Sequence, residues 1–200
     1  MALYHFSVRH VSRGKGQMVV ASAAYISGQR IYDGYYNKIH DYTSKSGVVF
    51  TEILTPEYVP ERMTDRETLW NEVEHVERNN KAQLAYSFDI ALQNELTLEE
   101  NIRLAKEFCQ EQFVVCGMIV DLAVHEGKSD NEEEPDNPHF HVLAPIRPFT
   151  EEGIWGNKQR REYILDEDGN RVKDAKGKDM FNAVSTTGWN DPELLKEWRR

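Results

Sequence analysis

Residues 118–146 read MIVDLAVHEGKSDNEEEPDNPHFHVLAPI, which is two apolar segments on either side of a strongly acidic loop. The alternation of the first segment places Asp121, Ala123 and His125 on one face of a strand. The second segment places His139 and His141 on one face, with a larger apolar residue between them. We therefore predict a hairpin of two strands whose ends bring three imidazoles together.

The segments before this hairpin alternate between strand and helix patterns. ALYHFSVRHV (2–11), VVFTEIL (48–54) and LAYSFDIAL (84–92) predict strands, and the last is the clearest because large and small side chains alternate throughout. The four-residue spacing of small side chains in MVVASAAYISGQRIYD (18–33) predicts a helix that packs close to a sheet. Two further helices are predicted to begin at capping boxes, which are Thr64 with Glu67 and Thr97 with Glu100, and Gly117 is predicted to stop the second.

The C-terminal part has a different composition. Residues 157–184 contain two polar turns and many charges, and they predict a charged hairpin excursion from the main core. A helix is predicted to begin after Asp191, with Pro192 at its first position. The length of 200 residues suits one globular domain over 1–200, and the late helix indicates the N-terminal part of a longer protein.

Charge and cysteine content limit the classes of function and location. The net charge of −10 opposes nucleic-acid binding, but residues 1–50 carry six basic and two acidic side chains, so the rest of the chain is far more acidic. A basic face is one interpretation, and scattered solvated charges are the other. Cys109 and Cys116 form no spaced framework and are predicted to be core thiols, which favours a reducing cytoplasm. No segment predicts a signal peptide or membrane insertion.

The three histidines indicate a metal site. Neutral imidazoles on adjoining strand ends can converge on one ion and leave coordination positions open for water and substrate, as in catalytic centres. The alternative is that His125, His139 and His141 are separate surface or hydrogen-bonded residues. The pattern predicts a metal better than it predicts a reaction.

The segment His139-Phe140-His141 resembles the histidine, hydrophobe, histidine signature of HUH endonucleases. The first 30 residues resemble the opening of MobA/MobL conjugative relaxases, and LAYSFDIALQNELT, EENIRLAKEFCQEQFVVCGMIVDLAVHE and NPHFHVL resemble later family blocks in the same order. The resemblance covers nearly the whole chain. It implies an α+β fold with an antiparallel sheet and flanking helices. It also implies an enzyme that cuts one DNA strand at a plasmid origin of transfer through a 5′-phosphotyrosyl intermediate, and can re-ligate it.

The resemblance also implies roles for particular residues. Tyr25 matches the nucleophile, and the three histidines match ligands of a divalent ion, Mg²⁺ or Mn²⁺. Relatives often carry Glu where this chain has Ser87, and Asp89, two residues on, is the candidate acid. The implied partners are single-stranded DNA at the origin of transfer and other relaxosome and coupling proteins. Phosphate contacts are predicted from four basic side chains: Arg9, Arg13, Lys15 and Arg30.

Other functions are compatible with parts of this pattern. A metal-dependent phosphoesterase would need the histidines but no tyrosine and no covalent DNA intermediate. A DNA-binding module that has lost catalysis is the other alternative. Spacing alone does not choose among nine tyrosines, because Tyr32, Tyr35, Tyr36 and Tyr42 also follow the first strand. Tyr25 is preferred because its small neighbours in the predicted helix would let DNA approach its hydroxyl.

Overall fold

The computed structural model describes residues 5–129 and 136–199. Within them the elements follow in this order: β1 Phe6–Ser12, α1 Val19–Ser27, β2 Arg30–Asp33, β3 Lys38–Asp41, β4 Val48–Leu54, α2 Arg66–Val76, β5 Gln83–Ala91, α3 Leu98–Cys109, β6 Val120–His125, β7 His139–Pro145, β8 Gln159–Tyr163, β9 Phe181–Ser185 and α4 Pro192–Glu197. Residues 2–4 of the predicted first strand and much of the acidic loop lie outside the described residues.

Five strands form one antiparallel sheet in the order β1-β5-β7-β6-β4. The predicted hairpin is confirmed, since β6 and β7 are neighbours at the centre of this sheet and His125 lies opposite His139. The strands β2 and β3 pair separately as a small hairpin. The architecture is α+β, as the resemblance implied.

Helical segments cover both faces of the sheet. On one face α1 and α2 form a core with the small strand residues Ala85 and Ala123. On the other face the aromatic side chains of α3 and the turn after it meet the sheet, with the ring centroids of Phe88 and Phe113 at 4.7 Å. Asp89 alternates with Phe88 and therefore lies on the α1 face of the sheet, where its side chain is 42% exposed.

The helix starts confirm one predicted cap and correct the other. Thr97 and Glu100 form the capping box of α3. At α2 the predicted box of Thr64 and Glu67 is wrong, because the carboxylate of Asp65 accepts from the Thr68 amide at 2.8 Å instead. The Glu67 carboxylate accepts from the backbone amide of Tyr32 at 2.9 Å. Glu67 therefore makes a tertiary hydrogen bond and not the local capping bond that the sequence pattern predicted.

The end of the third helix also differs from the simple pattern. The α-helix ends at Cys109 and continues as a wider π-helical turn over Gln110–Val114 before Gly117, whose φ of 87° reverses the chain. Cys109 is buried as predicted. The prediction that Cys116 is a core thiol is wrong, since this side chain is exposed beyond the helix end.

Contacts divide the chain into two compact units, Met1–Trp155 and Gly156–Arg200. The second unit contains the antiparallel pair β8 and β9, where the predicted charged hairpin lies, followed by α4. Asp166 and Asp174 each accept backbone N–H groups at the two polar turns. A single domain over residues 1–200 stays a prediction.

None of the helices among the described residues combines the length and the hydrophobicity that crossing a bilayer requires.

Candidate active site

The three predicted metal ligands meet at one end of the central strand pair. One ring nitrogen from each of His125, His139 and His141 lies within 4.8 Å of the others. Their ring centroids are 4.7–5.2 Å apart. The register explains the cluster, because His139 lies opposite His125 and His141 lies two residues further on the same face of β7.

Backbone carbonyls fix the orientation of two of these rings. Nε2 of His125 lies 2.7 Å from the carbonyl oxygen of Ile26, and Nδ1 of His139 lies 2.7 Å from that of Asn137. A ring nitrogen that faces a carbonyl oxygen must carry the proton and donate. In the neutral form of each ring the other nitrogen, Nδ1 in His125 and Nε2 in His139, carries a lone pair that can bind a metal ion. This arrangement suits a metal centre.

The protonation states also favour metal binding. Burial lowers the pKa of His125 to about 4, against the opposing effect of the hydrogen bond to Ile26. Burial likewise lowers the pKa of His141 to about 4, although the negative charge of Asp89 acts in the opposite direction. Both imidazoles are therefore neutral near pH 7, and a metal ion would displace no proton from them.

The predicted nucleophile lies beside this cluster on the last turn of α1. The ring of Tyr25 is about half exposed, at 51%. Its edge contact with Tyr42 has a centroid separation of 5.3 Å. The neighbouring residue Ile26 provides the carbonyl that binds His125, so the helix end carrying Tyr25 is tied directly to the histidine cluster.

Tyr25, Asp89 and His141 border one open cleft of about 470 Å³. Asp89 lies opposite His141 in the register of β5 and β7. Its carboxylate is also 4.0 Å from Nε2 of His5, the residue just before β1. The structure thus places the predicted acid, one predicted metal ligand and the predicted nucleophile around the same space, while Ser87 lines it without contributing a charge.

Comparison with known proteins identifies the family of the chain. Residues 17–200 match the family described as MobA/MobL. The chain belongs to the MobA/MobL family. It is 36% identical over 202 aligned residues to the conjugal transfer protein TraA of Agrobacterium fabrum, covering 95% of this chain and 18% of that protein. It is 34% identical to a probable mobilization protein MobA of Bifidobacterium longum, covering 86% of this chain and 30% of that one.

A solved structure supports the same assignment at the level of the fold. That structure is described as the molecular basis of vancomycin resistance transfer in Staphylococcus aureus. The similarity has a TM-score of 0.78 and 34% identity, and it covers 98% of this chain and 87% of the other. The chain spans less than a third of the TraA and MobA proteins it matches, so it corresponds to one part of them.

The four predicted phosphate contacts of this MobA/MobL chain occupy different environments. Arg9 is exposed and borders the cleft, on β1 next to Ser87. Lys15 is exposed on the turn after β1. Arg30 is exposed on the small hairpin, where it lies 3.7 Å from Asp41, and it borders a different depression. Arg9 is therefore the member of this set that the cleft supports most directly.

The prediction for Arg13 is corrected by its burial. This side chain is 8% exposed, and its guanidinium pairs with the fully buried carboxylate of Glu74. It also donates to the carbonyl oxygens of Glu74 at 2.8 Å and Asn79 at 3.0 Å. The other carboxylate oxygen of Glu74 accepts from the amide of Val19, the first residue of α1. Arg13 thus stabilises the start of the helix that carries Tyr25, and its charge is not free for a phosphate.

Lys45 was not predicted as a site residue, although it was one of the six basic residues counted in the first fifty. It lies in the connection between β3 and β4, and its ammonium is 3.7 Å from the centroid of the Tyr25 ring. No local sequence pattern places it there, because the contact depends on how this connection packs against the end of α1.

Proposed function

We propose that this MobA/MobL chain is the nicking part of a conjugative mobilisation protein. It would cleave one DNA strand, at a specific site in a plasmid origin of transfer, and hold the 5′ end covalently. The observation that carries the proposal is the cleft that Tyr25, Asp89 and His141 border together, with the other two histidines clustered around His141. A hydroxyl nucleophile, a carboxylate and a metal-ligand cluster at one open surface are the groups that phosphodiester transfer needs.

The histidine cluster fits a divalent ion, with Mg²⁺ or Mn²⁺ as the proposed cofactor. Two of its rings are held by backbone carbonyls in the tautomer that leaves one nitrogen free, and two have pKa values near 4. A bound ion would neutralise negative charge on the non-bridging oxygens of the reacting phosphate. Asp89 would help to orient the ring of His141, which it faces across the strand pair.

The proposed reaction is a transesterification at phosphorus. The hydroxyl oxygen of Tyr25 forms a bond to phosphorus and loses its proton, and the bond from phosphorus to the 3′ oxygen of the preceding nucleotide breaks. The released 3′ oxygen takes up a proton and becomes a hydroxyl. One phosphoester bond replaces another, so the 5′-phosphotyrosine keeps the free energy for re-ligation, whereas hydrolysis would release it.

Single-stranded DNA is the proposed substrate. Arg9 at the cleft and Lys15 beside it supply phosphate contacts, which can act locally despite the acidic remainder of the chain. The relatives are named for conjugal transfer and mobilization, and we extend that role, in the cytoplasm with relaxosome and coupling proteins, to this chain.

Covalent trapping tests the proposal. Purified protein with Mn²⁺ is incubated with labelled single-stranded oligonucleotides that tile its own plasmid's transfer origin, and an SDS-resistant adduct is expected with one of them. Tyr25→Phe removes one oxygen and should abolish the adduct while DNA affinity survives. Tyr42→Phe, in the same cleft, and Tyr32→Phe, outside it, are matched controls that should still form it.

Two results would overturn the proposal. Cleavage without any adduct would favour a hydrolytic phosphoesterase. Binding without cleavage on every tiled oligonucleotide would favour a non-catalytic DNA-binding module. If Tyr25→Phe forms the adduct and Tyr42→Phe does not, the nucleophile is Tyr42.

A further inference from the structure

The last turn of α1 leaves carbonyl groups without partners in the helix. The amides of Gly28 and Gln29 both bond the carbonyl of Ala24, and the helix then ends. The carbonyl oxygens of Tyr25 and Ile26 are the next two along the chain. A helix end presents its last carbonyls as a partial negative charge, which favours cations and donors nearby.

These two carbonyls are bound by side chains from distant segments. Nζ of Lys45 donates to the carbonyl oxygen of Tyr25 at 3.0 Å, and Nε2 of His125 to that of Ile26 at 2.7 Å. Successive carbonyls at one helix end therefore bind Lys45 and the proposed metal ligand His125. The group that binds the backbone of the proposed nucleophile, the Lys45 ammonium, is a cation.

The same ammonium also contacts the Tyr25 side chain. Its nitrogen is 3.7 Å from the ring centroid, well inside the roughly 6 Å range of a cation–π contact. The ring of Tyr42 meets Tyr25 edge-on, and the amide of Lys45 donates to the carbonyl oxygen of Tyr42 at 2.9 Å. The ring of Tyr25, half exposed to solvent, thus has a charged contact with Lys45 and an aromatic contact with Tyr42.

We infer that Lys45 is a positioning residue for the nucleophile, which fixes both the helix end and the ring of Tyr25 so that the hydroxyl faces the cleft. This inference rests on the proposed function, in which Tyr25 attacks the phosphodiester. Without the ammonium, an exposed tyrosine at a helix end would be free to change its side-chain rotamer, and fewer bound complexes would have the attacking geometry. The effect should fall on the cleavage step of bound DNA and not on its binding.

The test compares three variants with the unchanged protein. Lys45→Met keeps the length of the side chain but removes its positive charge and its hydrogen-bond donors. Lys45→Arg keeps the positive charge and the donors. Lys38→Met removes the same charge from the exposed β2–β3 hairpin and is the matched control. Single-turnover cleavage of saturating oligonucleotide and the dissociation constant are measured separately for each protein with Mn²⁺.

Lys45→Met should lower the single-turnover rate by about tenfold, with the dissociation constant within about twofold of the unchanged protein. Lys45→Arg should recover most of the rate, and Lys38→Met should leave it unchanged. A second readout needs no activity. With 3-fluorotyrosine at position 25, the fluorine resonance should shift and broaden in Lys45→Met and stay close to its original position in Lys38→Met.

The outcomes separate this inference from the proposed function. If the unchanged protein forms no adduct with any oligonucleotide, the proposed function fails, and the fluorine spectrum still reports whether Lys45 holds the ring. If the adduct forms and Lys45→Met cleaves at the original rate with an unmoved resonance, the inference is wrong. A weaker dissociation constant with an unchanged cleavage rate would make Lys45 a phosphate contact and would equally overturn it.

Discussion

Replacing Arg13 with methionine should destabilise the fold and leave the DNA contacts intact. The guanidinium is buried against Glu74, whose carboxylate is 0% exposed and also binds the first amide of α1. Removal of Arg13 leaves this carboxylate in the interior without its countercharge. It also removes the donors to the backbone carbonyls of Glu74 and Asn79.

The expected magnitude follows from the loss of one partner of a buried pair, about 3–5 kcal/mol. With a urea dependence of about 2 kcal/mol per molar, the unfolding midpoint of Arg13→Met should fall by about 1.5–2.5 M. Arg9→Met, an exposed arginine on the strand just before, should change the free energy of unfolding by less than about 0.5 kcal/mol. Urea titration followed by tryptophan fluorescence measures both.

DNA binding provides the second half of the test. The slope of log K against log salt should fall by about one unit in Lys15→Met or Arg9→Met if each makes one phosphate contact, and should not change in folded Arg13→Met. The reasoning would be refuted by an Arg13→Met protein of unchanged stability with a reduced salt slope, since that result would require an exposed Arg13 on the DNA.

Three further outcomes are expected. Ala in place of both His139 and His141 should lower the bound Mn²⁺ measured by isothermal titration and abolish cleavage, with circular dichroism unchanged; full metal stoichiometry in this variant would contradict the site. Because the folded pKa values of His125 and His141 lie near 4, below the unfolded value of about 6.5, the metal-free protein should lose stability as pH falls from 6.5 toward 4. Urea midpoints at pH 7.5 and 5 check this, and a higher midpoint at pH 5 would argue against it. Asp65→Ala should cost about 1 kcal/mol and Thr64→Ala clearly less, by thermal unfolding; the reverse order would restore the cap to Thr64.

Local patterns in the sequence were sufficient for much of the site. Strand alternation placed His139 and His141 on one face, because the two-residue period of a strand is a property of the backbone. The hairpin then brought His125 to the same point, as the observed register confirms. The capping box of α3 was also predictable from the sequence, because the hydrogen bonds between Thr97 and Glu100 form within a single helix turn.

Long-range packing decided the rest. Arg13 and Glu74 are 61 residues apart, and nothing near Arg13 in the chain shows that a buried carboxylate will meet it. Lys45 reaches Tyr25 across 20 residues, and His125 reaches Ile26 across 99. The sequence alone therefore determined which residue types share a strand face and where most helices begin, because those depend on neighbours within one or two turns. Which charges are buried, and which cation lies against Tyr25, depended on contacts that exist only once the helices have packed on the sheet.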